Sequence, residues 1–260
     1  GAIAMTEPAA GSDLQGMQMR AVKNAEGYVL DGAKTFITNG QHCDVVVMAA
    51  KTDTSKGSKG ITLFTVDTSL PGFHRGRNLE KIGQHAADTS EMFLESVQLG
   101  EDQVLGGIGN GFANLMNELP RERLILAIGA ITACEGVMER TVRYVHERKA
   151  FGQPLAAFQN TRFKLAELQA QIKVNRAYVE ACKDQYDAGK LTAVDASIAK
   201  LTTTELQGKV TDECLQLFGG YGYMKEYPIS RDYVDARIQR IYGGTSEVMK
   251  EIIARSVLGR

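Results

Sequence analysis

A change in hydrophobic period divides this sequence at a glycine-rich stretch, residues 106–111. Before that stretch, short apolar runs such as 45–48 and 61–66 alternate with clusters of Gly, Asp, Ser and Lys, a pattern typical of short strands. After it, apolar residues recur at helical spacing. The helical patterns cover roughly 157–188, 191–217 and 244–257. A chain of strands followed by helices predicts an α+β protein.

We expect two domains within this α+β fold. Residues 1–104 are predicted to form an antiparallel β-barrel or sandwich, and residues 105–260 an up-down four-helix bundle. Asp31-Gly32 lies between two strand-like segments and predicts a hairpin turn. Pro120 is expected in the first turn of a helix that runs to about Lys149, because proline lacks only an N–H that is unpaired there.

Composition restricts the classes of ligand. The 260 residues include 30 Lys and Arg against 31 Asp and Glu, a formal net charge of -1. Such a balance does not favour nucleic acid or an anionic membrane, so we expect neither partner. No apolar run has transmembrane length, so membrane insertion is not expected. The four cysteines and four histidines are scattered, which indicates reduced thiols and no metal site.

Two segments of the strand-rich half have residue types that suit a flat, phosphate-bearing ligand. Thr6 and Ser12 offer hydroxyl donors in a loop whose small residues allow close backbone approach; an ordinary Pro/Gly turn is the alternative. Phe36 and Thr38 are two apart on a strand and therefore share a face. The ring of Phe36 either packs on a flat cofactor or belongs to the protein core.

In the helical half, Arg148 near the end of the long helix either complements the helix dipole or reaches a pyrophosphate with its guanidinium fork. Thr245 is placed to cap the last helix, whose first N–H groups favour an anion or a carbonyl oxygen. Each motif alone is compatible with a purely structural role.

Five blocks in order resemble the acyl-CoA dehydrogenase family. They are TEPAAGSD (6–13), FITNG (36–40), RKAFGQ (148–153), QLFGGYGY (216–223) and YGGTSE (242–247). The resemblance spans the whole chain. Members of that family have an N-terminal helical domain, a middle β domain and a C-terminal helical domain. The resemblance implies that the first is absent here, and residues 1–5 read like the interior of a strand.

The resemblance implies FAD as the cofactor and assigns its contacts. In the first half they are Met5, Thr6, Ser12, Phe36, Ile37 and Thr38. Positions that complete the FAD site of a neighbouring subunit are Arg148, Phe151, Gln159, Gln216, Gly219 and Gly220, with Thr245 and Glu247 near the adenosine half. The resemblance therefore implies a homo-oligomer, a dimer of dimers.

The position of the catalytic base distinguishes this chain from many family members. Those members carry the base as Glu in a Tyr-Glu-Gly-Thr segment, where this chain has Gly243. Long-chain and isovaleryl members carry it at the start of the long helix, which matches Glu122. The alternative for Glu122 is a first-turn glutamate that stabilises the helix dipole. The resemblance also implies substrate contacts at Ser12, Arg123, Gly243 and Gly244, with an ordinary surface ion pair as the alternative for Arg123.

The function implied by the resemblance is FAD-dependent α,β-dehydrogenation of a fatty or branched-chain acyl-CoA to the trans-2-enoyl-CoA. Electrons would pass to electron-transfer flavoprotein, in a bacterial cytosol or a mitochondrial matrix. Two alternatives stay open: an acyl-CoA oxidase that uses dioxygen, and a non-catalytic relative that binds flavin only.

Overall fold

The computed structural model describes residues 1–259, in two compact units. The first unit is Gly1–Asn117 and the second begins at Glu118. The domain boundary predicted at residues 104/105 stays a prediction. The first unit extends beyond that point because the first turns of a long helix pack on its strands, with Leu115 buried against Ile61 and Leu63.

The first unit is a β domain, as the sequence predicts, and it is built on one eight-stranded sheet. Its strands are β1 (Ala2–Ala4), β2 (Arg20–Asn24), β3 (Gly27–Thr38), β4 (Val45–Lys51), β5 (Ile61–Asp67), β6 (Phe73–Asn78), β7 (Thr89–Leu99) and β8 (Val104–Leu105). They are hydrogen-bonded in the order β6-β7-β3-β2-β4-β5-β8, and β1 pairs with β4. All pairs are antiparallel except β1 with β4 and β2 with β4. The end strands β6 and β8 are not paired with each other, so these strands form no closed barrel.

The hairpin predicted at Asp31-Gly32 is wrong, because β3 continues through both residues. The hairpin lies earlier, between β2 and β3. Gly32 has a φ of +147° and marks a break in the register between β3 and β7. A side chain at this position would meet Met19 Cβ at 2.9 Å, so glycine serves a β-bulge and a close approach here.

The second unit is helical. Its long helices are α1 (Gly111–Glu147), α2 (Gln159–Asp187), α3 (Ala193–Phe218) and α5 (Ser246–Leu258), with a short α4 (Pro228–Ala236). A small two-stranded sheet of β9 (Lys149–Ala150) and β10 (Gln153–Pro154) follows α1. The predicted α2, α3 and α5 are confirmed within two residues. The core includes Leu124 and Ile131 of α1, Leu168 of α2 and Val210 of α3.

The start predicted for the first long helix is wrong. Pro120 lies inside α1, not in its first turn. A proline in a helix interior removes one backbone hydrogen bond. Phe112, Leu115 and Met116 lie at helical spacing and pack against strands within the first unit, so the helix is already established before the proline.

Candidate active site

In the first unit, a buried ion pair fixes the loop that carries the predicted contacts Met5, Thr6 and Ser12. Lys34 Nζ of β3 donates to Glu7 Oε1 at 2.8 Å and to the Met5 carbonyl at 3.1 Å. Glu7 also accepts from the backbone of Gln18 and Met19. Backbone N–H of Thr35 donates to the Thr6 carbonyl at 3.0 Å.

The loop is thereby held against the strand segment of Phe36, Ile37 and Thr38. Phe36 is 67% exposed although it is a large aromatic, and its φ of +59° lies in the left-handed region. Thr38 is also exposed, as expected for residues that share a face. Ile37 is 2% exposed, and its side chain belongs to the sheet core, so any ligand contact from Ile37 comes from its backbone.

In the second unit, several of the predicted cofactor residues line one cavity of about 570 Å³. Arg148, Gln216, Gly219 and Gly220 are among its lining residues. The Arg148 guanidinium lies 5.3 Å from the centre of the Tyr221 ring, a distance at which the ring orients the cation. Side chains at Gly219 and Gly220 would meet no atom within 4 Å, so both glycines border open space.

Phe151 and Gln159 do not line this cavity. Phe151 is 96% exposed with a φ of +50°, and its ring lies 6.3 Å from that of Phe158. Gln159 is the first residue of α2 and is exposed. Phe151 lies in the turn between β9 and β10, and a side chain so exposed adds little to the packing of this unit.

Glu122, the candidate base, lies beside Gly243, the glycine that stands where many family members have their base. A side chain at Gly243 would begin 3.8 Å from Glu122 Oε1, and it would collide with Leu126 Cδ1. Glu122 on α1 therefore presents its carboxylate to the space beside position 243 of the loop before α5. The two positions at which the resemblance allows a base, 122 on α1 and 243 on the loop, therefore lie next to each other in this fold.

Glu122 is an exposed residue of α1, but the atoms around its carboxylate still displace water. Burial raises the pKa of the Glu122 carboxyl, while the charges of Arg123 and Lys200 oppose that rise. A carboxylate with a raised pKa is suited to proton transfer near neutral pH.

Arg123 is 5% exposed, so the surface ion pair considered as an alternative is excluded. Its Nε donates to the Gly243 carbonyl at 3.3 Å, and Nη1 lies 3.5 Å from Ser197 Oγ. Burial lowers the pKa of Arg123, and Glu122 opposes that change. Arg123 thus contacts the loop that faces Glu122.

The loop leads into α5 through the predicted cap. Thr245 accepts a hydrogen bond from the Val248 N–H at 3.3 Å. Glu247 in the first turn has its pKa lowered by backbone N–H groups and then by Thr245.

Replacing Thr245 by alanine is expected to lower the free energy of unfolding by about 1 kcal/mol, since the Val248 N–H loses its acceptor. Denaturant unfolding measures the change, and Thr245→Ser, which keeps the hydroxyl, is the control. An alanine variant as stable as the serine variant would contradict the cap.

The sequence analysis missed Lys200 of α3. Its Nζ donates to the Gly244 carbonyl at 2.6 Å, and the residue is completely buried. Ala196 and Ala199, its buried neighbours on α3, form a face of small residues. A lysine on such a face is a signal of a buried cation with a specific partner.

The part of the chain that the structure describes contains no cluster of three or more His, Cys, Asp or Glu suited to a metal. None of the helices in residues 1–259 is both long and apolar enough to cross a bilayer. All four cysteines are buried and unpaired.

Family models match both halves of the chain. The acyl-CoA dehydrogenase middle domain matches residues 2–97, and the acyl-CoA dehydrogenase C-terminal domain matches residues 109–258. The chain is 50% identical to the mitochondrial long-chain specific acyl-CoA dehydrogenase of Mus musculus, over 99% of this chain. It spans 60% of that relative's length.

Solved structures share the fold. An acyl-CoA dehydrogenase from Geobacillus kaustophilus superposes with a TM-score of 0.97 at 46% identity, covering 98% of this chain and 68% of that one. A structure described as the electron transferring flavoprotein of Acidaminococcus fermentans also gives 0.97, at 35% identity, covering 100% and 68%.

Proposed function

The chain belongs to the acyl-CoA dehydrogenase family, and we propose that it carries out α,β-dehydrogenation of a fatty or branched-chain acyl-CoA with FAD. The observation that carries the proposal is the 3.8 Å between Glu122 Oε1 and the start of any side chain at Gly243. A base on α1 therefore reaches the space that a base on the loop would use.

Glu122 acts on the substrate as the general base. Its carboxylate takes the α-proton of the thioester, whose developing enolate charge is stabilised by the Gly243 N–H at the carbonyl oxygen. The chemistry supplied by bound FAD is acceptance of the β-hydrogen as hydride. Arg123 opposes the rise in the pKa of Glu122 and donates a hydrogen bond to the Gly243 carbonyl. Ser12 and Gly244 complete the proposed substrate contacts.

The residues present fit FAD. In the first unit, the exposed ring of Phe36 offers a flat apolar surface, and hydroxyls of Thr6, Ser12 and Thr38 offer donors. In the second unit, the Arg148 fork and the Gln216 amide border a cavity that two glycines keep open, which suits a pyrophosphate. The remaining proposed contacts are Met5, Ile37, Phe151, Gln159, Gly219, Gly220, Thr245 and Glu247.

The acceptor and the assembly are further parts of the proposal. An electron-transfer flavoprotein as the acceptor follows from the resemblance to the family. A homo-oligomer, as a dimer of dimers, follows from the resemblance. The mitochondrial relative supports a mitochondrial matrix, and a bacterial cytosol stays the other proposed compartment.

An anaerobic titration of the full-length, FAD-loaded protein with acyl-CoA tests the proposed reaction. We expect flavin absorbance to bleach on adding substrate and to return on adding electron-transfer flavoprotein. No bleaching with any acyl-CoA would contradict dehydrogenation and favour a flavin-binding relative. Rapid reoxidation by dioxygen with release of peroxide would favour an oxidase.

The space beside Gly243 is expected to set chain-length preference. Gly243→Glu should shift the substrate profile away from long or branched acyl groups, because the new side chain enters the space next to Glu122. The ratio of kcat/KM for long and short acyl-CoAs measures the shift. Gly243→Gln, of the same volume without the charge, separates filling from charge. An unchanged substrate profile in both variants would contradict the proposal that the space beside Gly243 sets chain-length preference.

A further inference from the structure

Lys200 is a completely buried cation without a carboxylate partner within hydrogen-bond distance among the described residues. An isolated buried ammonium is costly unless polar atoms replace its water. Its hydrogen bond is to the Gly244 carbonyl, at 2.6 Å. That bond joins the middle of α3 to the loop before α5.

The preceding carbonyl of the same loop is held by a second buried cation. Arg123 Nε of α1 donates to the Gly243 carbonyl. Gly243 and Gly244 have φ values of +64° and +97°, a conformation that glycine adopts without steric penalty but does not by itself prefer. Glycine backbone can adopt many conformations, and the donors Arg123 on α1 and Lys200 on α3 therefore select one conformation of this loop.

The charges around Lys200 come from three helices. Glu122 of α1, Glu205 of α3 and Glu247 of α5 attract the ammonium, and Arg123 of α1 repels it. Burial, and then Arg123, lowers the pKa of Lys200 to about 8, so most molecules carry the charge at pH 7. In the other direction, Lys200 counteracts the rise in the pKa of Glu122. One side chain thus affects the loop and the carboxylate that faces it.

We propose that Lys200 is a positioning residue for the dehydrogenation: through the Gly244 carbonyl it holds the Gly243-Gly244 loop beside Glu122. This inference rests on the proposed function. Lys200 does not contact substrate; it acts through the loop and through the base. A purely structural lysine would affect stability and leave the ionisation of Glu122 unchanged.

The test compares Lys200→Met and Lys200→Arg in the full-length, FAD-loaded protein. Lys209→Met is the matched control, since Lys209 is an exposed lysine of the same helix. The first readout is the pH profile of kcat/KM with a long-chain acyl-CoA. Lys200→Met should lower kcat about 10-fold at pH 7, on the scale of a misplaced group. Its acid limb should move up by at least about 0.5 pH unit, less than for a directly contacting charge.

The second readout is hydrogen–deuterium exchange of the segment 238–248, which does not depend on activity. Lys200→Met should exchange about 10-fold faster at Tyr242 and Val248, whose N–H groups are hydrogen-bonded, because the loop between them loses the Lys200 anchor. Lys200→Arg keeps the positive charge, so the acid limb of its pH profile should lie close to that of the wild type. Lys209→Met should match the wild type in both readouts, and thermal unfolding monitors the fold of every variant.

Unchanged exchange together with an unchanged acid limb in Lys200→Met would overturn the proposal. A lower kcat in Lys200→Met does not rescue the proposal if the acid limb and the deuterium exchange of 238–248 both match the wild type, because a merely structural lysine would give that result. Failure of the proposed function looks different: the wild type would not bleach, or Glu122→Gln would turn over normally. In that case Lys200 has no role in dehydrogenation, and deuterium exchange still decides whether Lys200 holds the Gly243-Gly244 loop.

Discussion

Turnover of acyl-CoA is expected to fall at least about 10²-fold in Glu122→Gln, the scale of a general base. Glutamine has nearly the same shape, so the loop and substrate contacts should persist while the proton acceptor is lost. Steady-state kcat with an artificial electron acceptor measures the loss, and substrate binding should change little.

Glu139→Gln is the matched control, because Glu139 is an exposed residue of the same helix and pairs with Arg143 only at 3.9 Å. It should retain wild-type turnover. A Glu122→Gln variant with full activity would reject Glu122 as the base and, with it, the proposed mechanism.

The largest loss of stability is expected from Lys34→Met. The variant removes one partner of a buried pair and leaves the Glu7 carboxylate, which is 5% exposed, without its cation. Breaking such a pair costs about 3–5 kcal/mol in the free energy of unfolding. Denaturant unfolding monitored in the first unit measures the change.

An exposed pair provides the control for this prediction. Lys23 and Glu101 are 2.9 Å apart but 63% and 68% exposed, so Lys23→Met should lower the free energy of unfolding far less than Lys34→Met. Burial lowers the pKa of Lys34 despite Glu7, so burying this charge costs more than its attraction to Glu7 returns. Adding Glu7→Gln to Lys34→Met should therefore recover part of the loss. Equal effects of Lys34→Met and Lys23→Met would contradict the argument.

Local patterns predicted the elements of the fold where one physical signal dominated. Apolar spacing predicted α2, α3 and α5, and Thr245 was correctly predicted as the cap of α5. Where long-range packing decided, the local signal failed. Asp31-Gly32 has the chemistry of a turn, but pairing with β7 and contact with Met19 make it a bulge. Pro120 has the chemistry of a helix start, but the contacts of Leu115 extend α1 before it.

The candidate site divides in the same way. The glycine at position 243 and the glutamate at position 122 were visible in the sequence, and together they indicated where the base would be. Their approach to one space is a property of the folded helical unit. Lys200 was missed because its role depends on a carbonyl far away in the sequence, which no spacing on α3 reveals. The contact predicted between Ile37 and the flavin stays a prediction for its backbone, because the side chain lies in the sheet core.

The most direct measurement follows the α-proton itself. The full-length, FAD-loaded protein is incubated anaerobically with a long-chain acyl-CoA in D2O, and deuterium at the α-carbon is followed by mass spectrometry. The wild type should incorporate deuterium, and Glu122→Gln should bind the substrate while incorporating deuterium at least about 10²-fold more slowly. Incorporation at the wild-type rate in Glu122→Gln would contradict the assignment of Glu122 as the group that removes the proton.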